Sequence, residues 1–390
     1  MNPGRGLDAF NFLAAAVQTG FGAFVASYLA GNAWDQAQIG VVLTVQTAAS
    51  MLLQVPGGAL VDATRRQRGL MAAALLGLAG AALLLAVTPE PAPVLFALLL
   101  QAACAAVLAP GIVAMSLSRF DPAALGDRLG RNARYAAIGS GLGALAMGAI
   151  ATSWAENGVF LLAAGLVGPA FWTFPVIGPA RPERVKRPAE PALAAGLKLL
   201  RDRRLLIFFG CVVLFHLSSA AILPVAAADV TRRAGTQAGM LIAAFIVVPQ
   251  VAVALLSPAV GSAAQRWGRR RLLLLGFASL PLRGVLFAVV NDPIALVAVQ
   301  VLEGVAGAVY GVMLPLVAAD LAQEGGHTNL CLGLLGLGGA LGAGLSTTLG
   351  GAVAALAGQA EAFWTLGAVG LAAFALVAAA MPETRPPVLV

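Results

Sequence analysis

The sequence predicts an all-α membrane protein whose twelve transmembrane helices form two pseudo-symmetric six-helix bundles. Three observations carry this expectation. The chain is overwhelmingly apolar, its basic residues fall in alternate gaps between the apolar segments, and its second half repeats the first. Of its 390 residues 60% are hydrophobic and 11% charged, with a mean hydropathy of +0.90. A water-soluble chain of this length leaves roughly a quarter of its surface exposed after folding, too much for this composition to keep polar.

A span needs about 20 apolar residues. Such segments run, in order, over residues 7–30, 37–61, 69–88, 93–117, 132–153, 158–178, 205–228, 239–263, 271–290, 293–317, 330–356 and 363–381. The first is too long for a signal-peptide core and lacks a convincing cleavage site, so it is expected to be retained. Between the sixth and seventh spans, residues 179–204 are rich in Arg and contain Pro179, Pro182, Pro188 and Pro191. Prolines interrupt a helix, so this stretch is expected to link a unit at 1–178 to a unit at 205–390.

All but three of the 24 Lys and Arg residues lie at the N-terminus, in the even-numbered gaps (residues 119–134 included) or at the C-terminus; the exceptions are Arg232, Arg233 and Arg283. Excess positive charge marks the cytoplasmic side. The expected location is therefore a bacterial cytoplasmic (inner) membrane, with both termini cytoplasmic. The net charge of +7 is a topological signal on this reading, and no nucleic-acid partner is expected. Cys104, Cys211 and Cys331 all sit in apolar segments, without the spacing of a metal site or a disulfide framework. No metal and no cofactor is expected.

The halves echo each other. Gly58-Ala59-Leu60-Val61-Asp62-Ala63-Thr64-Arg65-Arg66 follows the second span, and Gly261-Ser262-Ala263-Ala264-Gln265-Arg266-Trp267-Gly268-Arg269-Arg270 follows the eighth, 203 residues later. Asn132 with Gly139 and Gly141 in span 5 matches Asn329 with Gly336 and Gly338 in span 11 at 197. Gln18 matches His216 at 198, and Gln101 matches Glu303 at 202. A six-span unit duplicated in the same orientation is characteristic of secondary transporters, whose sites lie near the bilayer midplane.

With these features the chain resembles the major facilitator superfamily over essentially its whole length. The resemblance implies secondary transport by alternating access, a cavity lined by spans 1, 4, 7 and 10, and drug-efflux carriers as similar members. It also implies that Gly58, Leu60, Asp62 and Arg66 form a gating motif, with Gly58 letting helices 2 and 11 approach and Asp62 pairing at the cytoplasmic gate. A carboxylate beside the start of helix 11 gains from the positive end of its dipole. Ala63 and Arg65 depart from the family pattern. In the second copy Gly261, Arg266, Gly268 and Arg269 fit, but Gln265 replaces the acid, so only the first copy can supply a carboxylate latch. The bland alternative is a basic loop that holds topology.

Glu303 stands about ten residues into span 10, roughly 15 Å deep. A carboxylate facing lipid there is costly, so it should face the interior, paired or protonated. Arg283, at similar depth in span 9, is its expected partner. The pair is either static packing or a site that exchanges a proton or a cationic solute. His216 is either a satisfied buried histidine or a titrating group. Gln18 and Gln101 offer hydrogen bonds to a solute or to a neighbouring helix, and Tyr310 either lines the pore or packs. Gly139, Gly143, Gly338 and Gly342 repeat at a spacing of four, which permits close helix packing; they either pack only or form a moving interface between halves.

The family's proton-driven exporters carry a span-4 arginine where this chain has Leu98, so proton coupling is expected to run through Glu303 and His216. No phosphate-binding loop is present, and no enzyme is expected. The expected partners are a small amphipathic or weakly cationic substrate, protons and membrane lipid, with the chain a monomer. Proton-coupled export (an efflux antiporter) is favoured over uptake of a small organic nutrient. A carrier-shaped receptor or scaffold is the rival from another class.

Overall fold

The computed structural model describes residues 3–21, 23–153, 157–180, 190–227, 238–322 and 326–385. Arg232 and Arg233, and the linker residues Arg181, Arg184, Lys186 and Arg187, lie outside the described residues. Eleven helices among those described are long and apolar enough to cross a membrane. With Leu125–Ser153 they form the series α1 (Pro3–Gly31), α2 (Gln36–Ala63), α3 (Gln67–Val87), α4 (Pro91–Leu117), α5 (Leu125–Ser153), α6 (Gly158–Ile177), α7 (Arg203–Ala227), α8 (Ala238–Trp267), α9 (Arg269–Val289), α10 (Pro293–Leu321), α11 (Thr328–Leu356) and α12 (Gln359–Ala380). A short helix, Ala192–Leu199, precedes α7.

Local sequence explains several helix starts. Asp35 caps α2: its carboxylate accepts the Gln38 N–H at 2.7 Å while the Gln38 side chain accepts the Asp35 N–H at 3.2 Å, a reciprocal capping box. Asp292 caps α10 by accepting the N–H groups of Ile294 and Ala295, and Pro293 fills the first position, where a missing N–H costs nothing. Gly268, at φ +86°, turns the chain from α8 into α9, a conformation that suits a residue without Cβ. Pro110, Pro249, Pro258, Pro281 and Pro315 lie inside helices that continue past them. Membrane helices tolerate this because neighbouring groups take up the freed carbonyls.

The packing repeats with the sequence. In the first half α1 packs on α5 and α6, α4 on α2 and α3, and α3 on α6. In the second half α7 packs on α11 and α12, α10 on α8 and α9, and α9 on α12. Each of these first-half pairs has its counterpart six helices later. The halves join chiefly through α2 against α11 and α5 against α8, again related by the duplication. Outward faces carry exposed Leu76, Leu83, Phe96, Leu255 and Leu371, which suits a lipid surround.

One region differs from expectation. α5 begins at Leu125 rather than at 132, so Arg128, Arg131 and Arg134 are helix residues and not part of a loop. Burial is possible because Asp8 of α1 supplies the counter-charge: its carboxylate pairs with both Arg128 and Arg131. Arg128 is buried and also donates to the Asn132 side chain at 2.9 Å and the Gly4 carbonyl at 3.0 Å. Asn132 accepts in addition from Asn11 at 3.2 Å and donates to Ser116 at 2.9 Å. A buried charge needs such pairing, and its partner sits 120 residues away in the chain.

Candidate functional site

Two helices place Arg283 and Glu303 together inside the second half. Arg283, on the inward face of α9, is 3% exposed at its side chain, and its guanidinium pairs with the Glu303 carboxylate of α10, which keeps 29% exposure. Ser219 of α7 donates to Glu303 at 2.8 Å and accepts from Arg283 at 3.0 Å. Gln300, one turn before Glu303, accepts from Arg283 at 3.0 Å, and the guanidinium carbon lies 5.6 Å from the Phe287 ring centroid. The pair is thus a four-residue network across α7, α9 and α10. Gln300 escaped the sequence reading. Its signal was the three-residue spacing to Glu303, which puts both on one helix face.

His216 and Tyr310 form a second layer of the same α7–α10 seam. Tyr310 lies seven residues beyond Glu303, about 10 Å along the helix. It stacks on Phe215 at 4.5 Å and meets the His216 ring edge-on at 5.0 Å. His216 Nδ1 lies 3.1 Å from the Val212 carbonyl one turn back, and its repeat counterpart Gln18 donates to the Ala14 carbonyl at 3.3 Å. Gln101, the counterpart of Glu303, accepts from Gln46 of α2 at 2.8 Å. The equivalent position therefore carries a neutral amide pair in one half and an ionic network in the other.

The basic end of the bundle holds the contacts between halves. Asp62, in the last turn of α2, accepts the N–H of Leu330 at 2.8 Å, the N–H of Asn329 at 3.2 Å and the Asn329 side-chain amide at 2.7 Å. These groups sit at the start of α11, where helix N–H groups lack internal partners. Gly58 lies one turn earlier; a Cβ there would collide with the Asn329 carbonyl. Leu60 is exposed on the last turn of α2, and Arg66 is exposed just before the start of α3. On the other seam Gly126 and Gly261 meet backbone to backbone, and Gln265, standing where Asp62 has its acid, donates to the Pro122 carbonyl at 3.4 Å.

The glycine series divides between two faces. Gly139 and Gly143 lie against Phe12 and Ala16 of α1, and Gly338 and Gly342 against Phe209 and Val213 of α7. All four pack within their own half. Other glycines of the same two helices meet the opposite half: Gly126 and Gly130 on α5, and Gly333 and Gly336 on α11. Gly130 and Gly139, like Gly333 and Gly342, are nine residues apart, which is half a turn around a helix of 3.6 residues per turn. Toward the opposite end the seams open: Gly40, Gly344 and Gly351 have nothing within 4 Å of a built Cβ.

The second loop motif is held by the C-terminal segment. Arg269 is buried and donates to Asp320 at 3.0 Å. Glu383 accepts the N–H groups of Arg269 and Arg270 at 2.8 and 3.2 Å, and Arg385 donates to the Gln265 and Arg266 carbonyls at 2.8 and 3.2 Å. Burial alone would push the Glu383 carboxyl up. The N–H donors of Arg269, Arg385 and Arg270, with the Arg269 charge, outweigh it and hold the group below the usual glutamate range. No cluster of three or more His, Cys, Asp or Glu capable of holding a metal is present among the described residues.

Comparison with known proteins agrees with this architecture. The family model of the Major Facilitator Superfamily matches residues 8–248 and again 208–389. An uncharacterized MFS-type transporter of Mycobacterium tuberculosis is 34% identical over 397 residues, covering 97% of this chain and 93% of its own. Among solved structures, the human organic anion transporter MFSD10 (TETRAN) superposes with a TM-score of 0.71 at 19% identity, covering 97% of this chain and 100% of its own. The fucose:proton symporter FucP of E. coli gives 0.74 at 14%, covering 96% and 98%. With its duplicated six-helix packing and a family match along nearly its whole length, this chain belongs to the Major Facilitator Superfamily and is a multi-pass membrane transporter of the MFS type.

Proposed function

We propose that this protein carries a small amphipathic or weakly cationic solute out across a bacterial cytoplasmic membrane, in exchange for protons, by alternating access. The basic end faces the cytoplasm on this reading, because retained Lys and Arg mark that side. The halves touch there and part toward the opposite end, so the conformation described here is open to the outside. Residues 1–178 and 205–390 rock against each other, joined by the linker at 179–204.

The observation that carries the proposal is the Arg283–Glu303 network. The Glu303 carboxylate pairs with Arg283, and its partial exposure gives a proton or a cation access to the same oxygen atoms. A proton on Glu303 removes the ionic bond, and Arg283 then keeps Ser219 and Gln300 as acceptors. Proton and cationic solute therefore compete for one carboxylate, which is the requirement for exchange. His216 and Tyr310 add an aromatic wall one layer away, and Gln18 and Gln101 offer neutral hydrogen bonds from the first half.

The test is flux in proteoliposomes with and without an imposed pH gradient, using solutes selected by thermal shift at pH 5.5 and 8. Glu303→Gln is expected to abolish gradient-driven flux while leaving solute exchange at equal pH. Full gradient-driven flux in that variant would rule out the proton role. Gradient-driven accumulation on the cytoplasmic side would reverse the direction and point to uptake of a small organic nutrient.

A further inference from the structure

Pro258 lies inside α8. A proline has no N–H, so the carbonyl four residues earlier, that of Ala254, loses its helical partner. It does not stay bare. The Nε–H of Arg134, from α5 in the other half, donates to the Ala254 carbonyl at 2.9 Å. Around this bond the seam is as tight as backbone allows. A Cβ on Gly130 would run into Ser257 and Pro258, and one on Gly261 into Gly126 and Gly130. Among the described residues, Arg134 is the one charged side chain with a hydrogen bond across the α5–α8 seam.

We propose that Arg134 is the second gate latch of this transporter, holding α5 to α8 through the Ala254 carbonyl as Asp62 holds α2 to α11. The proposal rests on the alternating-access reading above and adds a positioning residue to it. Repeat symmetry would place an acid at Gln265, and this chain has none there. A different arrangement supplies the same physics. On one seam a negative side chain meets N–H groups left unpaired at a helix start. On the other a positive side chain meets a carbonyl left unpaired by a proline.

Arg134 is half-buried and stands nine residues into α5, about 14 Å along it. The bond is thus made in a largely dehydrated seam and exists only while the basic end is closed. Opening that end separates α5 from α8, and water must then solvate both groups. Arg134 thereby weights the equilibrium toward the state closed at the basic end.

The test reads the equilibrium itself and needs no substrate. Spin labels on Val87→Cys and Leu356→Cys, which are 80% and 89% exposed at the non-basic ends of α3 and α11, report the opening between halves. Cys104, Cys211 and Cys331 are buried and stay in place. Arg134→Met is expected to raise the ratio of the short-distance population to the long by roughly tenfold, as loss of one charge-assisted bond requires. Arg134→Lys, which keeps a cationic donor, should recover most of the wild-type distribution. Pro258→Ala returns an N–H to the Ala254 carbonyl, and in that background Arg134→Met should change the ratio by less than about twofold.

An unchanged distribution in Arg134→Met, in a protein whose wild type interconverts, overturns the latch and leaves the transport reading intact. So does an equal shift with and without Pro258→Ala, because Ala254 would then not be the partner. A wild type that never interconverts, at any pH or with any solute, sinks alternating access and the latch together. If Arg134→Met does not fold, Arg134→Gln supports the same comparison.

Discussion

The carboxylate of Asp62 in α2 accepts the backbone N–H of Leu330 in α11 at 2.8 Å, so an acid from one half closes the helix start of the other. The interaction combines hydrogen bonding with the favourable end of a helix dipole, worth up to about 2 kcal/mol when partly buried. Asp62→Asn keeps an acceptor but loses the charge. It is expected to increase labelling of cysteines introduced along the cavity from the basic side and to slow transport several-fold. Unaltered labelling and flux would remove Asp62 from the gate.

Asp8 should matter for stability more than for gating. Its removal leaves Arg128 buried without a counter-charge, a type of loss that costs about 3–5 kcal/mol. Asp8→Asn is therefore expected to lower the melting temperature in detergent markedly, whereas Arg131→Gln, which frees a half-exposed side chain, should cost little. Equal melting temperatures for Asp8→Asn and wild type would contradict this account.

The tail clamp has a pH dependence of known sign. The Glu383 carboxyl is held below its ordinary value by backbone N–H donors, so its contribution is present above the unfolded pKa. That contribution fades as the pH falls through the folded value. Between pH 6 and pH 3 the wild type should lose more thermal stability than Glu383→Gln. Parallel curves for the two proteins would show that the clamp carries no linked proton.

Glycines on the two kinds of face should respond differently to the same change. Gly261→Ala puts a methyl group against the Gly126 backbone, with no flexible side chain to yield, and should separate the halves at the basic end and impair transport. Gly344→Ala and Gly351→Ala meet open space and should be neutral or stabilising by up to about 1 kcal/mol, as expected for alanine in a helix. The comparison needs only flux and melting curves of three variants.

Much of the fold was legible in the sequence because the bilayer simplifies the problem. Each span had to be apolar over a fixed length, and helix ends fell close to the expected positions, from Pro91–Leu117 for 93–117 to Thr328–Leu356 for 330–356. The partner of Glu303 could be named from depth alone, since a buried acid and a buried base at one level have strong reason to meet. The duplication likewise showed which helices would be equivalent, and where the second copy lacked its acid.

Other features depended on neighbours that no local pattern identifies. Hydropathy ended span 5 at its arginines, because nothing near them in the chain revealed that Asp8 would neutralise Arg128 and Arg131. Periodicity put Gly139 and Gly130 on opposite faces of α5, but it could not say that one face meets α1 and the other α8. Arg134 read as a membrane-boundary charge until Pro258, on a helix of the other half, left it a carbonyl to hold. The sequence by itself determined the spans, their repeat and the scarcity of intramembrane charge, since these follow from the cost of polar groups in lipid. Only the tertiary structure decided which charge meets which backbone group, because hydrogen bonds and ion pairs act over a few ångströms between residues more than a hundred positions apart.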